Sequence, residues 1–501
     1  MKMLRETFQN IVNDIEVRKN LIKLKELLRE DETKNSHNKE ALLYLMAGDY
    51  RVFERLLAHE DAKVRKNTAL ILGELAIPSF LDLLYQSYQK EQQLFVKSSY
   101  LTAISNYEHD SLMPELKNRY QELIATQLTD ENKKHLTEEI RLIEQLMYDS
   151  SDQKKHKFVG YECVNELVLL CNRNHIHITS EQLGRIPKKE FTAGIMVKTT
   201  QLKDVLAIRT YREMLFAVEG MKTVPNDVVA AAKMISDGTI YQFLQKRHKG
   251  DDVFHFRLEV KAKMDPEKKV AFVKRLATEI EHLSERKLLN SVNNYEVEIR
   301  LIENKEGKFN ILLRLYTLED KRFAYRKEVI ASSIHPSNAA LCAMLVKPYL
   351  MEDAQVLDPF CGVGTMLIER TNAVPAKTMY GLDIFGEAIE KARVNTKAAD
   401  MIVNYINRDF FDFKHEYLFD EIFTNMPTTG NGMSERELFG LYERFFVKAK
   451  EHLKENAILI LYSHNRDFVR KLANKAPYKI EKEYEISMME GTYVYVIRYT
   501  T

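Results

Sequence analysis

The sequence predicts an α/β fold for the last third of the chain, a doubly wound parallel sheet, behind an α+β module and an all-α N-terminal region. Three observations carry that prediction. Val356-Leu-Asp-Pro-Phe-Cys-Gly-Val-Gly-Thr365 reads as the end of a buried strand, a tight glycine turn and the start of a helix. Across 330–501, short apolar runs alternate with helical patterns, as the crossovers of a parallel sheet require. In 1–150 strand signals are almost absent and helical periodicity dominates.

The chain has 501 residues, too many for a single core, so about two to four domains are expected. Its formal charge is +1 with 29% charged residues, which excludes a global basic field. No apolar run approaches the ~20 residues of a membrane helix, and Met1-Lys-Met-Leu-Arg-Glu carries no apolar signal core, so no membrane partner is expected. Cys163, Cys171, Cys342 and Cys361 lack close paired spacing, which argues against a disulfide framework or a metal site. Each is expected to be a small buried hydrophobe, and the chain to be cytoplasmic.

Residues 1–150 read as helices broken by polar turns at 47–49 and 59–61. The stretch 61–73 is similar to the inner helix of a HEAT-like repeat, and Val64-Arg65 recurs as Val96-Lys97, 32 residues on. Two such copies fit a short α-solenoid; an irregular helical bundle is the alternative. Either serves as a scaffold that docks a protein partner. The polar stretch 148–156 suits a linker.

Residues 157–320 mix helices with strand-like runs at 194–198, 213–218, 253–260, 295–301 and 309–315, and an amphipathic helix over 265–283. The run 295–301 alternates apolar and charged residues, the pattern of a half-exposed strand. Residues 185–213 hold seven Lys/Arg against three Asp/Glu, and 246–275 hold ten against five. Such local patches would supply phosphate contacts rather than sequence reading.

In 330–501, parallel strands are expected at 355–358, 378–383, 402–407, 419–424 and 457–462, with a closing hairpin of 478–484 and 492–499. Ligands of such sheets bind beyond the carboxyl ends of the strands. Asp383 stands at one of those ends, 21 residues after Gly362, placed to accept from ribose hydroxyls. Leu367 occupies the third-glycine position of a dinucleotide fingerprint, and no Gly-Lys-Ser/Thr follows to hold a triphosphate. S-adenosylmethionine therefore leads over NAD and ATP.

The stretch Asp358-Pro-Phe-Cys-Gly-Val-Gly-Thr-Met-Leu-Ile-Glu369 resembles motif I of the class I RNA methyltransferases, particularly the THUMP-containing guanine-N2 group. Residues 323–327 and 333–340 resemble the segment before that motif. The resemblance is specific over 320–425, looser over 155–320 and absent before. It implies a Rossmann-like class I methyltransferase domain at 330–501, whose closing antiparallel pair is that family's variant of the sheet. It also implies a THUMP/ferredoxin-like RNA-binding module over 157–320. By resemblance Asp358 faces the amino group of the cofactor's methionine portion. Phe360, Cys361, Gly362, Gly364 and Thr365 form the turn beside the ligand, and Asp383 holds the ribose. Asp409 accepts from the adenine amino group and Phe410 covers the ring. The alternatives for the last two are a helix cap and a core position.

At the acceptor site the amino-directed relatives carry Asn/Asp-Pro-Pro-aromatic; this chain has Asn425-Met426-Pro427-Thr428. Asn425 and Pro427 remain as candidate catalytic residues. Asn425 can accept from an exocyclic amine, while the stacking ring must come from elsewhere. No cysteine stands where a pyrimidine-C5 enzyme places its nucleophile, so Cys361 belongs to the cofactor turn. Tyr442, Phe445 and Phe446 read as core, His335 as the start of a helix, and 429–434 as a substrate lid. The expected function is methylation of a base amine, guanine N2 first, in tRNA or rRNA. The alternatives are a protein or small-molecule amine acceptor, or a non-catalytic RNA-binding protein.

Overall fold

A computed structural model describes residues 2–34, 37–126, 132–149, 156–250, 253–291, 294–429 and 433–500. The chain divides into two compact units, Met1–Lys154 and Lys155–Thr501.

The described part of the first unit is helical. Arg51–Leu57 pairs with Ala62–Leu75, Leu81–Lys90 with Leu94–Ile104, and Met113–Ala125 with Lys133–Asp149. The second helix of each pair packs on the second helix of the next. Val64 and Val96, each the third residue of its helix, are both buried. A Cβ on Gly73 would stand 2.7 Å from Ala103 Cα, so the missing side chain lets two of these helices touch. The polar stretch 148–156 lies mostly outside the described residues.

The second unit holds a nine-stranded and a seven-stranded sheet. The nine-stranded sheet runs in the order Lys188–Phe191, Gly194–Thr199, Asn165–Leu170, Glu213–Ala217, Phe309–Leu315, Val297–Glu303, Phe254–Lys261 and Leu288–Asn290, with Thr223–Val224 added beside Phe309–Leu315. Pro266–Leu283 lies over it, capped by Asp265, whose carboxylate accepts from the Glu267 amide. The expected half-exposed strand is corrected here: Glu298 and Arg300 are only 5% and 4% exposed. Arg300 donates to Glu298 on its own strand and, across the intervening strand Phe309–Leu315, to Glu213, both at 2.8 Å, and Arg314 of that intervening strand also donates to Glu213. Charges that find partners within the sheet can be buried. Cys163 and Cys171 are half-buried rather than buried, unlike Cys342 and Cys361.

The seven-stranded sheet comprises β1 (Ala354–Asp358), β2 (Ala376–Asp383), β3 (Asn404–Asn407), β4 (Phe419–Asn425), β5 (Leu453–Ser463), β6 (Tyr478–Ser487) and β7 (Thr492–Tyr499). Their order is β3-β2-β1-β4-β5-β7-β6. The first five are parallel, β7 runs antiparallel between β5 and β6, and β6 shares the direction of the first five. Helices α1 (Pro336–Val346), α2 (Thr365–Ala373), α3 (Gly386–Ala398), α4 (Glu435–Ala449) and α5 (Arg466–Ala473) accompany them. His335 caps α1, its ring nitrogen accepting from the Ser337 amide. Buried Arg370 at the end of α2 donates twice to Glu421 of β4, at 2.9 and 2.7 Å, and also to the carbonyls of Met351 and Val374. That pair ties the helix after the glycine turn to the strand that carries Asn425.

Within this unit the two sheets are joined at two places. Arg209 and Tyr325 both donate to Glu369 on α2. Asn172, Asn174 and His175 donate to backbone carbonyls of Glu485 and Ile486 at the end of β6. Arg209 is thus a half-buried partner in an ion pair between the two sheets. Arg247 is buried, donating to Asn165 and to the Val164 carbonyl. Most of the other Lys and Arg of the two basic stretches are exposed, among them Lys188, Lys189, Lys203, Lys261, Lys263 and Lys274. Among the described residues no helix is long and apolar enough to cross a membrane.

Candidate active site

The site forms where β1, β2 and β4 end. Asp358 closes β1 with its side chain fully buried, 0% exposed. Its Oδ1 accepts from Thr424 Oγ1 at 2.6 Å and from the Phe360 amide at 3.1 Å. Its Oδ2 is buried with no hydrogen-bond partner. Burial pushes the carboxyl up to about 7, with Asp383 adding to the rise and the two hydrogen bonds opposing it. A buried acid with one unsatisfied oxygen is a ready acceptor for a cationic amine.

The turn that follows is fixed by backbone chemistry. Cys361 donates its amide to the Leu382 carbonyl, and Gly362 donates its amide to Asp383 Oδ2 at 3.0 Å. Gly364 has φ +81 and caps α2; a Cβ there would lie 2.1 Å from the Tyr405 hydroxyl. Only glycine fits both the backbone angle and the space. Gly362 has φ +51, and a Cβ there would meet only Ile330, at 3.7 Å. Burial holds the Cys361 thiol well above its ordinary value, which suits a packing role and not a nucleophile. Thr365 is buried, and its hydroxyl has no partner. Phe360 is half-buried, tilted against Phe445.

Asp383 is half-buried at the end of β2; its Oδ1 also accepts from the Phe385 amide at 2.9 Å. Ile384 and Phe385 follow it as exposed apolar side chains. Sequence reasoning passed over these two; an apolar pair directly after the acid was the available signal. Asp409 caps the short turn Phe410–Asp412 by accepting from the Phe411 amide. The expectation that Phe410 covers a ring is corrected: it is 1% exposed and packs among Phe360, Phe445 and His452. With no free face, it is a core residue.

On β4, Asn425 pairs in register with Tyr462. Its Oδ1 is buried and has no hydrogen-bond partner. Met426 is buried and donates its amide to the Tyr462 carbonyl. Pro427 is held through its carbonyl, which accepts from the Tyr442 hydroxyl at 3.2 Å; that hydroxyl also meets Ser463 and Asn465. Tyr442, Phe445 and Phe446 are buried. Half of the expected lid, 430–432, lies outside the described residues. His464 follows β5 and sits against Thr492, its Nδ1 2.8 Å from Thr492 Oγ1. Among the described residues no three His, Cys, Asp or Glu converge to hold a metal ion.

Three orphaned buried polar atoms, on Asp358, Thr365 and Asn425, thus border one strand-end site, and a glycine turn borders the same space. They fit a cofactor with a cationic amine and a nucleoside, beside an acceptor amine.

Residues 324–494 match the family UPF0020: RMKL-like, methyltransferase domain. The fold is similar to that of TrmN from Thermus thermophilus, at TM-score 0.50 and 15% identity, over 67% of this chain and 100% of that one. A predicted N6-adenine-specific DNA methylase from Listeria monocytogenes aligns at TM-score 0.48 and 16% identity, over 66% of this chain and 95% of that one. No curated protein matches the chain. The match identifies residues 324–494 as a methyltransferase domain.

Proposed function

We propose that this methyltransferase acts on RNA, methylating an exocyclic base amine of tRNA or rRNA, with guanine N2 as the first candidate. The observation that carries the reading is Asn425: a side-chain oxygen, buried and unpartnered, held at the end of β4. Its neighbour Thr424 is hydrogen-bonded to Asp358. A buried acceptor without a donor costs ~1–3 kcal/mol, a cost that an incoming N–H would remove. Asn425 orients the amine, and the clamped Pro427 holds the loop that carries it. Asp358 holds the donor's ammonium group, Asp383 its ribose, and Ile384 with Phe385 flank its base. The donor supplies a methyl group made electrophilic by its sulfonium, so alignment is the enzyme's main task.

The division 1–150, 157–320 and 330–501 belongs to the same proposal. Residues 157–320 are read as a THUMP/ferredoxin-like module that holds RNA through its exposed lysines. The stacked helix pairs of 1–150 are read as a HEAT-like scaffold for a protein partner, and the protein as cytoplasmic.

The test is mass spectrometry of nucleosides from tRNA and rRNA of cells with and without the protein, with complementation by Asn425→Ala. One methylated nucleoside should be lost, returning with the wild type and not with the variant. An unchanged nucleoside profile would refute an RNA substrate and favour a protein or small-molecule amine.

A further inference from the structure

A base drawn out to Asn425 leaves an unstacked gap in the RNA, separate from the site at Thr428, where a ring would have stacked on the drawn-out base itself. Besides Ile384 and Phe385, which flank the cofactor side at the end of β2, an exposed apolar pair stands on the turn between β6 and β7. Asn425 of β4 pairs with Tyr462 of β5, and Tyr462 with Val494 of β7. Two strand spacings, roughly 10 Å, separate Asn425 from Val494. The turn between β6 and β7, residues 487–492, continues outward from that level at the carboxyl end of the parallel strands. Its tip carries Met488 and Met489, 81% and 93% exposed.

The turn is held from three sides. The Glu490 amide donates to Ser487 Oγ at 3.2 Å, and Thr492 Oγ1 lies 2.8 Å from His464 Nδ1. Gly491 takes φ +62, which closes the turn. Asn172 and His175 bind the carbonyls of Ile486 and Glu485 at 2.9 and 2.8 Å, so the module read as RNA-binding is anchored beside this turn. The tip therefore stands between the RNA-holding module and Asn425. Two adjacent thioethers exposed on a fixed turn are apolar surface that the described residues leave uncovered. Unbranched and polarizable, they fit an irregular stack of bases.

We propose that Met488 and Met489 form an apolar wedge that enters the RNA stack beside the target nucleotide and fills the gap left when its base swings out to Asn425. This rests on the RNA reading above. Such wedges offset the unstacking that base extrusion requires.

The test compares Met488→Gln/Met489→Gln with Met488→Leu/Met489→Leu in the full-length protein. Both replacements keep the side-chain length roughly constant, and only the first makes the tip polar. The probe is tRNA and rRNA purified from cells lacking the protein, with tritiated S-adenosylmethionine. The glutamine pair should lower kcat/KM roughly 10–100-fold, the range base stacking supplies, with melting and donor affinity unchanged. The leucine pair should stay near wild type. Wild-type rates from the glutamine pair would overturn the wedge, as would equal losses from both pairs. So would a dimer that the glutamine pair dissociates, because the tip would then join two copies. A wild-type protein that labels neither RNA refutes the RNA reading as well as the wedge.

Discussion

Replacing Asp358 with asparagine should flatten the pH dependence of stability in the donor-free protein. The carboxyl rises from its ordinary 3.8 to about 7, mainly because it is fully buried. Between those values the native chain holds a proton that the unfolded chain has released. Stability is therefore greatest below the lower value and falls as pH rises through the upper one. The whole span corresponds to ~4 kcal/mol at about 1.4 kcal/mol for each pH unit, and roughly 2–3 kcal/mol of it falls between pH 5 and pH 8. Asparagine keeps the carbonyl that accepts from Thr424 and Phe360 but cannot ionise. Its amide leaves a buried donor unpaired, a pH-independent cost of ~1–3 kcal/mol. The informative quantity is thus the change in the wild-type-minus-variant difference, not its absolute size. Urea denaturation of the full chain at pH 5 and pH 8 reads it directly. Adding S-adenosylmethionine at pH 8 should stabilise wild type and leave the variant nearly untouched. Parallel pH curves for the two proteins would refute the account of Asp358 as a strained acid awaiting a cation.

Arg370→Ala leaves Glu421 charged and buried, and should cost about 3–5 kcal/mol in denaturant unfolding; a loss under about 1 kcal/mol, the range of exposed pairs, would mean water reaches the pair. Gly364→Ala combines a left-handed backbone penalty of ~1–2 kcal/mol with overlap on the Tyr405 hydroxyl. Calorimetry should show donor binding weakened in that variant and partly recovered on adding Tyr405→Phe; undiminished binding by Gly364→Ala would contradict the close-approach argument. Asn425→Ala should lower kcat about 10²–10³-fold, as loss of one well-placed polar contact does, with donor affinity retained. An equal fall in donor affinity would place Asn425 in the cofactor pocket instead.

Much of the catalytic sheet is readable in the chain because each parallel strand is a short apolar run ended by a polar or glycine residue. The starts were less clear: β3 begins at Asn404 rather than 402, and β5 at Leu453 rather than 457. The strand Val297–Glu303 was misjudged for a different reason. Its alternation is real, but periodicity reports chemical character and not what faces it. Glu213, more than eighty positions away, turns Arg300 from a surface residue into a buried one. Phe410 failed similarly: a ring beside an acid looks like a lid until Phe360 and Phe445 close around it. Glu369 and Arg370 carried no local signal at all. Their meaning depends on Arg209, Tyr325 and Glu421 arriving from elsewhere.

The edge strand β6 has a consequence for cutting the chain. Its outer carbonyls at Glu485 and Ile486 are occupied by the side chains of Asn172, Asn174 and His175. A fragment starting near residue 324 would carry the catalytic sheet with that rim uncovered, beside two exposed methionines. Open strand edges recruit other strands. The excised domain should therefore self-associate more than the longer chain does, and gel filtration of the two would show it; the loop around Asn172 then guards solubility as well as joining two sheets.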